Sequence, residues 1–454
     1  MEVITIIGPP GTGKTQKLEE YIKNENTENY MYLTYNTNMA AFARKRIENN
    51  KNISTIHSAM ARLNSIGPYL SRKDINEFKK MYGMSDVELD YFLKWYDMSI
   101  SSLKPPKMLP DSQINVLYLF DKYEGWKAKK GKYDYTDILK IGAEGHYSTG
   151  TMYVDEAQDL SPIMWKIIDK FNADRLVIAG DPHQSINGYR GVNVIEFTAR
   201  MKNIEVLGQS YRYGDNLRIL ADKALGRGRV MNAEYVGTGT TEIGKYSIEQ
   251  FLKLPGSKAI LGRSNEIIDK VSQWTNAAVV PVGEKSLGNG WNPTVFKLGN
   301  ILKKYPEINN EEFRYIVRHT PANLWARGTK SEALRGTSIF SYTLMKEKLT
   351  GVDLALKTIL KDNEKKNILR YMKSELPVVH AGTIHSAKGL EWDHVMLITD
   401  MPGKLVYNMS PEEHRILYVA LTRARKSLSF AHLGTYSESY SISGYNVMKT
   451  ATGF

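Results

Sequence analysis

The sequence predicts an α/β protein, and three observations carry that reading. The chain opens on a β-branched run, Val3–Ile7, that passes through a glycine-rich turn into an amphipathic helical pattern. A second buried-strand pattern, Met152–Val154, runs into an acidic pair, Asp155 and Glu156. At 454 residues the chain exceeds what one hydrophobic core usually serves, so two to four domains are expected.

Composition narrows the class. With 42% hydrophobic and 24% charged residues the chain is an ordinary globular one. A net charge of +12 points to a polyanionic partner, with nucleic acid the commonest, although a solvated basic surface gives the same number. The absence of cysteine excludes disulfides, thiolate zinc sites and cysteine nucleophiles. No apolar run is long enough to span a bilayer, and MEVITIIGPPGTG is too short an apolar start for a signal peptide. A soluble, cytoplasmic protein without membrane contact is expected.

The N-terminal turn fits G-x-x-x-x-G-K-[ST]: Gly8, Pro9, Pro10, Gly11, Thr12, Gly13, Lys14, Thr15, followed by Gln16. Glycines let successive N–H groups face phosphate oxygens, and the helix start adds its positive dipole end. Lys14 can reach the β- and γ-phosphates, and the Thr15 hydroxyl can ligate Mg²⁺. A strand ending in Asp155 can place a carboxylate in the Mg²⁺ shell, while Glu156 can polarise a water against the γ-phosphate. Both halves of a nucleoside triphosphate-hydrolysing site are therefore expected. A further pattern is repetition: TIHSA stands at Thr55–Ala59 and again at Thr383–Ala387.

Taken in order, GPPGTGKT, TIHS, DYTDIL, VDEAQDLS, VIAGDPHQSINGYRG, LGQSYR, ILGRSN, GTIHSAKGLEWDHVML and LYVALTRAR resemble the motifs of superfamily 1 helicases of the UvrD/Rep/PcrA type. They run from residue 1 to about residue 430. The resemblance implies two RecA-like P-loop NTPase domains with parallel sheets, each interrupted by a mainly helical insertion, with ATP bound between them and single-stranded DNA crossing both. It answers the repeat: Thr55, His57 and Ser58, and then Thr383, His385 and Ser386, would be equivalent DNA-contacting loops on duplicated folds.

The resemblance also assigns roles. Gln184 would sense the γ-phosphate, and a neutral amide suits that task. Tyr189 would stack on a DNA base, where relatives carry Trp or Phe, with Arg190 beside it. Arg212 and Arg423 would neutralise charge on the transferred phosphoryl group. Tyr211 would stack on adenine, and Gly389 and Glu391 would lie at the nucleotide. Arg263 and Asn36 would contact DNA, although Thr37 and Asn38 stand where relatives carry a lysine. The family's upstream glutamine motif is not expected here, which leaves base selection to Tyr211 and its neighbours.

The expected domains are a first RecA-like unit at 1–62 and 130–225, with a helical insertion at 63–129, and a second at 226–300 and 373–454, with a reduced helical insertion at 301–372. In the first insertion, YFLKWYDMSI and DKYEGWKAKKGKYDY interleave basic and aromatic residues. That pattern suits DNA binding and packed amphipathic helices equally. The expected activity is an ATP-dependent DNA helicase that acts on single-stranded DNA and ss/ds junctions, moves 3′→5′ and works as a monomer. A translocase that strips bound proteins without opening duplex is the alternative, and an RNA helicase the weaker third.

Overall fold

The structure is a computed structural model of the chain. It describes every residue except 26–27, 48–49, 105–115, 276, 283–291, 326–329, 331–348, 374–375, 404, 406–408, 441, 443–447 and 450–454. Two compact units emerge: Met1–Arg212 with Leu225–Thr238 and Ser410–Tyr418, and Tyr213–Ala224 with Gly239–Met409 and Val419–Phe454.

The first unit holds a six-stranded parallel sheet of β1 (Glu2–Ile7), β2 (Tyr30–Thr34), β3 (Ile53–Thr55), β4 (Tyr147–Asp155), β5 (Phe171–Gly180) and β6 (Ile204–Val206). Its spatial order is β3-β2-β4-β5-β1-β6. The strands are rich in Ile, Val and Tyr because both faces are covered. Alternate residues serve the two layers: Ile6, Tyr32, Tyr153 and Val177 enter one core, and Ile7, Leu33, Val154 and Ile178 the other. Around the sheet lie α1 (Lys14–Glu25), α2 (Thr37–Arg46) and α3 (Ile56–Leu63). A short parallel pair, β7 (Gln209–Ser210) and β8 (Val236–Gly237), also belongs to this unit.

Between α3 and β4 the chain forms α4 (Arg72–Met81), α5 (Asp86–Ser101), α6 (Val116–Lys130) and α7 (Tyr135–Glu144). Helices α4, α5 and α7 each start on a capping box, with Ser71/Asp74, Ser85/Glu88 and Asp134/Asp137 answering each other's backbone N–H groups. Phe78, Phe92, Trp95, Tyr96, Tyr123 and Trp126 make a separate aromatic core for α4 to α6. Most of the aromatic residues in the basic–aromatic stretches are thus packing residues.

The second unit holds a seven-stranded parallel sheet: β9 (Glu242–Ile243), β10 (Lys258–Gly262), β11 (Ala278–Pro281), β12 (Val378–Thr383), β13 (Trp392–Ile398), β14 (Ala424–His432) and β15 (Met448–Lys449). The order is β11-β12-β10-β13-β14-β15, with β9 also on β14. Among the described residues, four helices stand between β11 and β12 in the sequence: Pro293–Lys304, Asn310–Arg318, Gly351–Leu356 and Asp362–Lys373. Their Val295, Leu298, Phe313, Leu354 and Ile368 share one core with Ile260, Val379 and Met396 of the sheet. Among the described residues these helices are a continuation of the second sheet's core. No helix among them is long and apolar enough to cross a membrane.

Candidate functional site

In a parallel sheet the functional loops gather at the carboxyl ends of the strands. The first unit follows this rule: the glycine turn leaves β1, Tyr35 and Asn36 leave β2, the first TIHSA begins at the end of β3, Asp155 ends β4, and Asp181–Gln184 follow β5. The turn is tight because Gly13 sits at φ +86°, which a side chain disfavours. Lys14 is buried and its Nζ donates to the carbonyls of Gly8 (2.7 Å) and Pro9 (3.2 Å), which holds it over the loop. The Thr12 hydroxyl closes the turn on Pro9 O at 3.0 Å. Gln16 lies outward, 3.5 Å from Glu20.

Asp155 is fully buried, and two hydroxyls meet one of its oxygens. Thr15 Oγ1 and Tyr32 OH each donate to Oδ2 at 2.8 Å, while the Glu156 N–H donates to Oδ1 at 2.9 Å. Burial raises the Asp155 pKa, and the neighbouring Glu156 charge adds to that, against the hydroxyl donors. A hydroxyl and a carboxylate converging at the phosphate turn are the hard oxygen donors that Mg²⁺ takes alongside phosphate oxygens. Among the described residues no three His, Cys, Asp or Glu side chains gather as an all-protein metal cage.

Glu156 stands at φ 54°, ψ 41°, a left-handed conformation that is uncommon for a residue with a side chain. From there a chain of amides and carboxylates leads away from the nucleotide turn. Gln158 Nε2 donates to Glu156, and Gln158 Oε1 accepts the Asp181 N–H at 2.9 Å. Gln184 Nε2 donates to Asp181 Oδ2 at 3.0 Å, and Tyr418 OH lies 3.4 Å from the same oxygen. All but Glu156 are buried. The sequence singled out Glu156 and Gln184; the two residues that join them, Gln158 and Asp181, were visible only as letters inside the same motifs.

The segment Gln209–Arg212 lies against the glycine turn. Ser210 Oγ donates to Pro10 O at 2.7 Å, and the Tyr211 N–H to Gly11 O at 2.9 Å. A Cβ added at Gly11, itself at φ +80°, would stand 2.4 Å from the Arg212 Cβ, so only glycine admits this approach. Tyr211 is 70% exposed beside the turn, free of the core as a base-stacking ring must be.

Next to this lies a cleft of about 820 Å³, contained within the first unit. Its lining includes Thr55, His57, Ser58, Tyr189 and Arg190, all expected at DNA, together with Tyr35, Tyr135 and residues of α5. Tyr189 is 57% exposed, which removes the alternative of a core tyrosine. The Arg190 guanidinium lies 5.4 Å from its ring centroid and donates to the Tyr35 hydroxyl. Tyr135 is 75% exposed, edge-on to His57 (6.1 Å) and stacked with Tyr69 (6.4 Å). Burial, with the Arg190 charge beside it, lowers the His57 pKa to about 4, so its ring is neutral at pH 7. Asn36 is exposed at the end of β2.

The second unit repeats the local design. Thr383 ends β12 as Thr55 ends β3, and both threonine hydroxyls accept the N–H three residues on: Ser58 at 3.2 Å and Ser386 at 3.3 Å. Identical pentapeptides thus make the same strand-end cap, one opening α3 and the other a turn. His385 and Ser386 are half-buried there, Gly389 lies at φ +81°, and Arg263 follows β10. Glu391 is exposed, 3.5 Å from Arg425. Arg423 is 1% exposed and donates to the carbonyls of Val419 (2.9 Å) and Leu390 (3.2 Å) and to Thr422 Oγ1 (3.1 Å). It is no surface salt bridge.

One cation of the basic–aromatic stretch is also no surface charge. Lys127 is buried, with Nζ at 2.7 Å from Tyr96 OH and Asp137 and 2.9 Å from Asp134. It ties α6 to the cap of α7 and cannot serve as a phosphate ligand. The signal that could have revealed it is the DYTD capping box a few residues later, which supplies two carboxylates.

Comparison with known proteins agrees with this geometry. An AAA domain model matches residues 1–190, and the UvrD-like helicase C-terminal domain model matches residues 297–433. F-box DNA helicase 1 of Gallus gallus is 23% identical over 94% of this chain and 47% of its own length. F-box DNA helicase protein 1 of Schizosaccharomyces pombe is 22% identical over 94% and 55%. ATP-dependent DNA helicase UvrD2 of Mycobacterium tuberculosis is 24% identical over 74% and 56%. The chain therefore spans about half the length of these relatives. An arterivirus nonstructural protein 10 helicase structure aligns over 94% of this chain and 59% of its own at 11% identity, with a TM-score of 0.36, too loose to carry an argument. With the nucleotide turn, its acidic strand end and the paired caps in place, and two family models in order along it, the chain is similar to UvrD-like superfamily 1 helicases along most of its length.

Proposed function

We propose that this chain is an ATP-driven motor on single-stranded DNA that moves 3′→5′ and opens duplex at ss/ds junctions. One observation carries the reading: the phosphate turn and the cleft of His57, Ser58, Tyr189 and Arg190 both lie at the carboxyl ends of the strands of one sheet. The largely buried Glu156–Gln158–Asp181–Gln184 chain ends five residues before Tyr189, so a change at the nucleotide has a short physical route to the stacking ring.

In this reading Lys14 and the turn's N–H groups hold the β- and γ-phosphates of ATP, and Thr15 and Asp155 hold Mg²⁺. The metal, when bound, supplies charge neutralisation on the phosphate oxygens. Glu156 orients the attacking water, Gln184 senses the γ-phosphate, and Arg212 and Arg423 neutralise charge on the transferred group. Tyr211, Gly389 and Glu391 hold the nucleoside. DNA is gripped by Asn36, Thr55, His57, Ser58, Tyr189 and Arg190 in the first unit, and by Arg263, Thr383, His385 and Ser386 in the second. Such contacts bind backbone and base planes and carry no sequence code. The reading divides the chain at the expected boundaries, with insertions at 63–129 and 301–372, and has it act as a monomer in the cytoplasm.

A second reading, a translocase that displaces proteins without unwinding, is favoured by the helices between β11 and β12, which share the sheet's core instead of forming a separate body. Forked and 3′- or 5′-tailed duplexes, with and without ATP, decide between them when run beside displacement of a bound protein. ATP-dependent opening of 3′-tailed duplex is expected. Displacement without opening would establish the second reading, and neither activity would refute both.

A further inference from the structure

The α5 side of the cleft is not built for phosphate. Helix α5 supplies Lys94, Asp97 and Ser101, spaced i, i+3 and i+7 on one helical face. Arg190 and Asp159 line the same cleft. Two cations and two carboxylates cancel, and His57 adds nothing at pH 7. In a chain of net charge +12 this lining is neutral, and it is rich in tyrosine. A polyphosphate backbone gains little from such a lining, whereas an uncharged planar base fits it.

Asp97 gives that base pocket a preference. A carboxylate accepts hydrogen bonds and donates none, so it favours bases that present N–H₂ groups. Cytosine offers its N4 amino group and adenine its N6; thymine offers one N3–H flanked by two carbonyls that repel the carboxylate. Burial raises the Asp97 pKa and the Arg190 charge opposes that, and both residues line the cleft, so the carboxylate shares it with a cation. We infer that Asp97 is a specificity-determining residue that makes the cleft prefer amino-bearing bases, cytosine over thymine, in the bound strand. This rests on the reading that single-stranded DNA enters the cleft, because the base pocket has no meaning without the strand.

The test uses the full chain and fluorescently labelled (dC) and (dT) oligomers of equal length, with affinity read by anisotropy. Both are unstructured pyrimidines, so base chemistry is the main variable. The wild type is expected to bind (dC) about 3- to 10-fold more tightly than (dT), the net scale of one ordinary hydrogen bond. Asp97→Asn, which has the same shape but can also donate, should bring the ratio close to one, as should Asp97→Ala. A ratio unmoved by both variants, while Tyr189→Ala still weakens binding of both oligomers, would overturn the assignment and spare the strand-binding reading. Tyr189→Ala without effect on either oligomer would overturn that reading and this inference with it.

Discussion

Tyr32→Phe is the most economical probe of the nucleotide site, because it removes one oxygen and leaves the ring. Tyr32 is completely buried on β2, and the parallel register that pairs Thr34 with Asp155 brings its hydroxyl within 2.8 Å of the Asp155 carboxylate. A hydrogen bond to a charged group contributes about 1.5–3 kcal/mol, and the variant recovers part of that because it has no hydroxyl to desolvate. Asp155 keeps Thr15 and the Glu156 N–H, so it is not left bare. The expected loss is about 1–2 kcal/mol in urea unfolding of the first unit. Nucleotide affinity should also fall, since the carboxylate loses one of the two hydroxyls that fix its position. Stability and affinity both unchanged would mean that the hydroxyl is a bystander. Lower stability with intact affinity would confine Tyr32 to packing.

Three further outcomes are expected. Lys14→Ala should abolish hydrolysis and leave circular dichroism and unfolding unchanged; normal turnover would remove the phosphate turn from the mechanism. Tyr189→Ala should weaken single-strand binding by about 1–3 kcal/mol and lower strand separation per ATP, as measured by anisotropy and paired unwinding and hydrolysis assays. Equal coupling in both proteins would sink the stacking role. For His57 the folded pKa of about 4 lies below the unfolded value of about 6.5, so the unfolded chain takes up the proton first. Its contribution to stability is therefore complete above about pH 6.5 and is lost as pH falls toward 4. His57→Gln should flatten that part of the stability profile, and an unchanged profile would refute the buried neutral ring.

The sequence exposed those parts of the site that depend on neighbours in the chain. GPPGTGKT, the acidic pair after Val154 and both TIHSA copies are short segments whose geometry follows from their own residues, and the structure bends them as expected. Residues that act through strand register or helix facing were not visible. Nothing near Tyr32 announces that β2 lies beside β4, and nothing near Asp97 says which side of α5 meets the cleft. The basic–aromatic insertion shows the difficulty best. Its letters fitted packing and DNA contact equally, and the structure divides them: Phe92, Trp95 and Tyr96 go to the core, while Lys94 and Asp97, interleaved with them or directly following, line the cleft.

The close approach of Gly11 to Arg212 has a consequence for how damage to this protein would present. Any methyl group at position 11 would act as a wedge, prising away the strip that bears Tyr211. On the proposed reading, such a lesion would disturb discrimination among purine and pyrimidine triphosphates as well as grip on their phosphates, two defects from one atom.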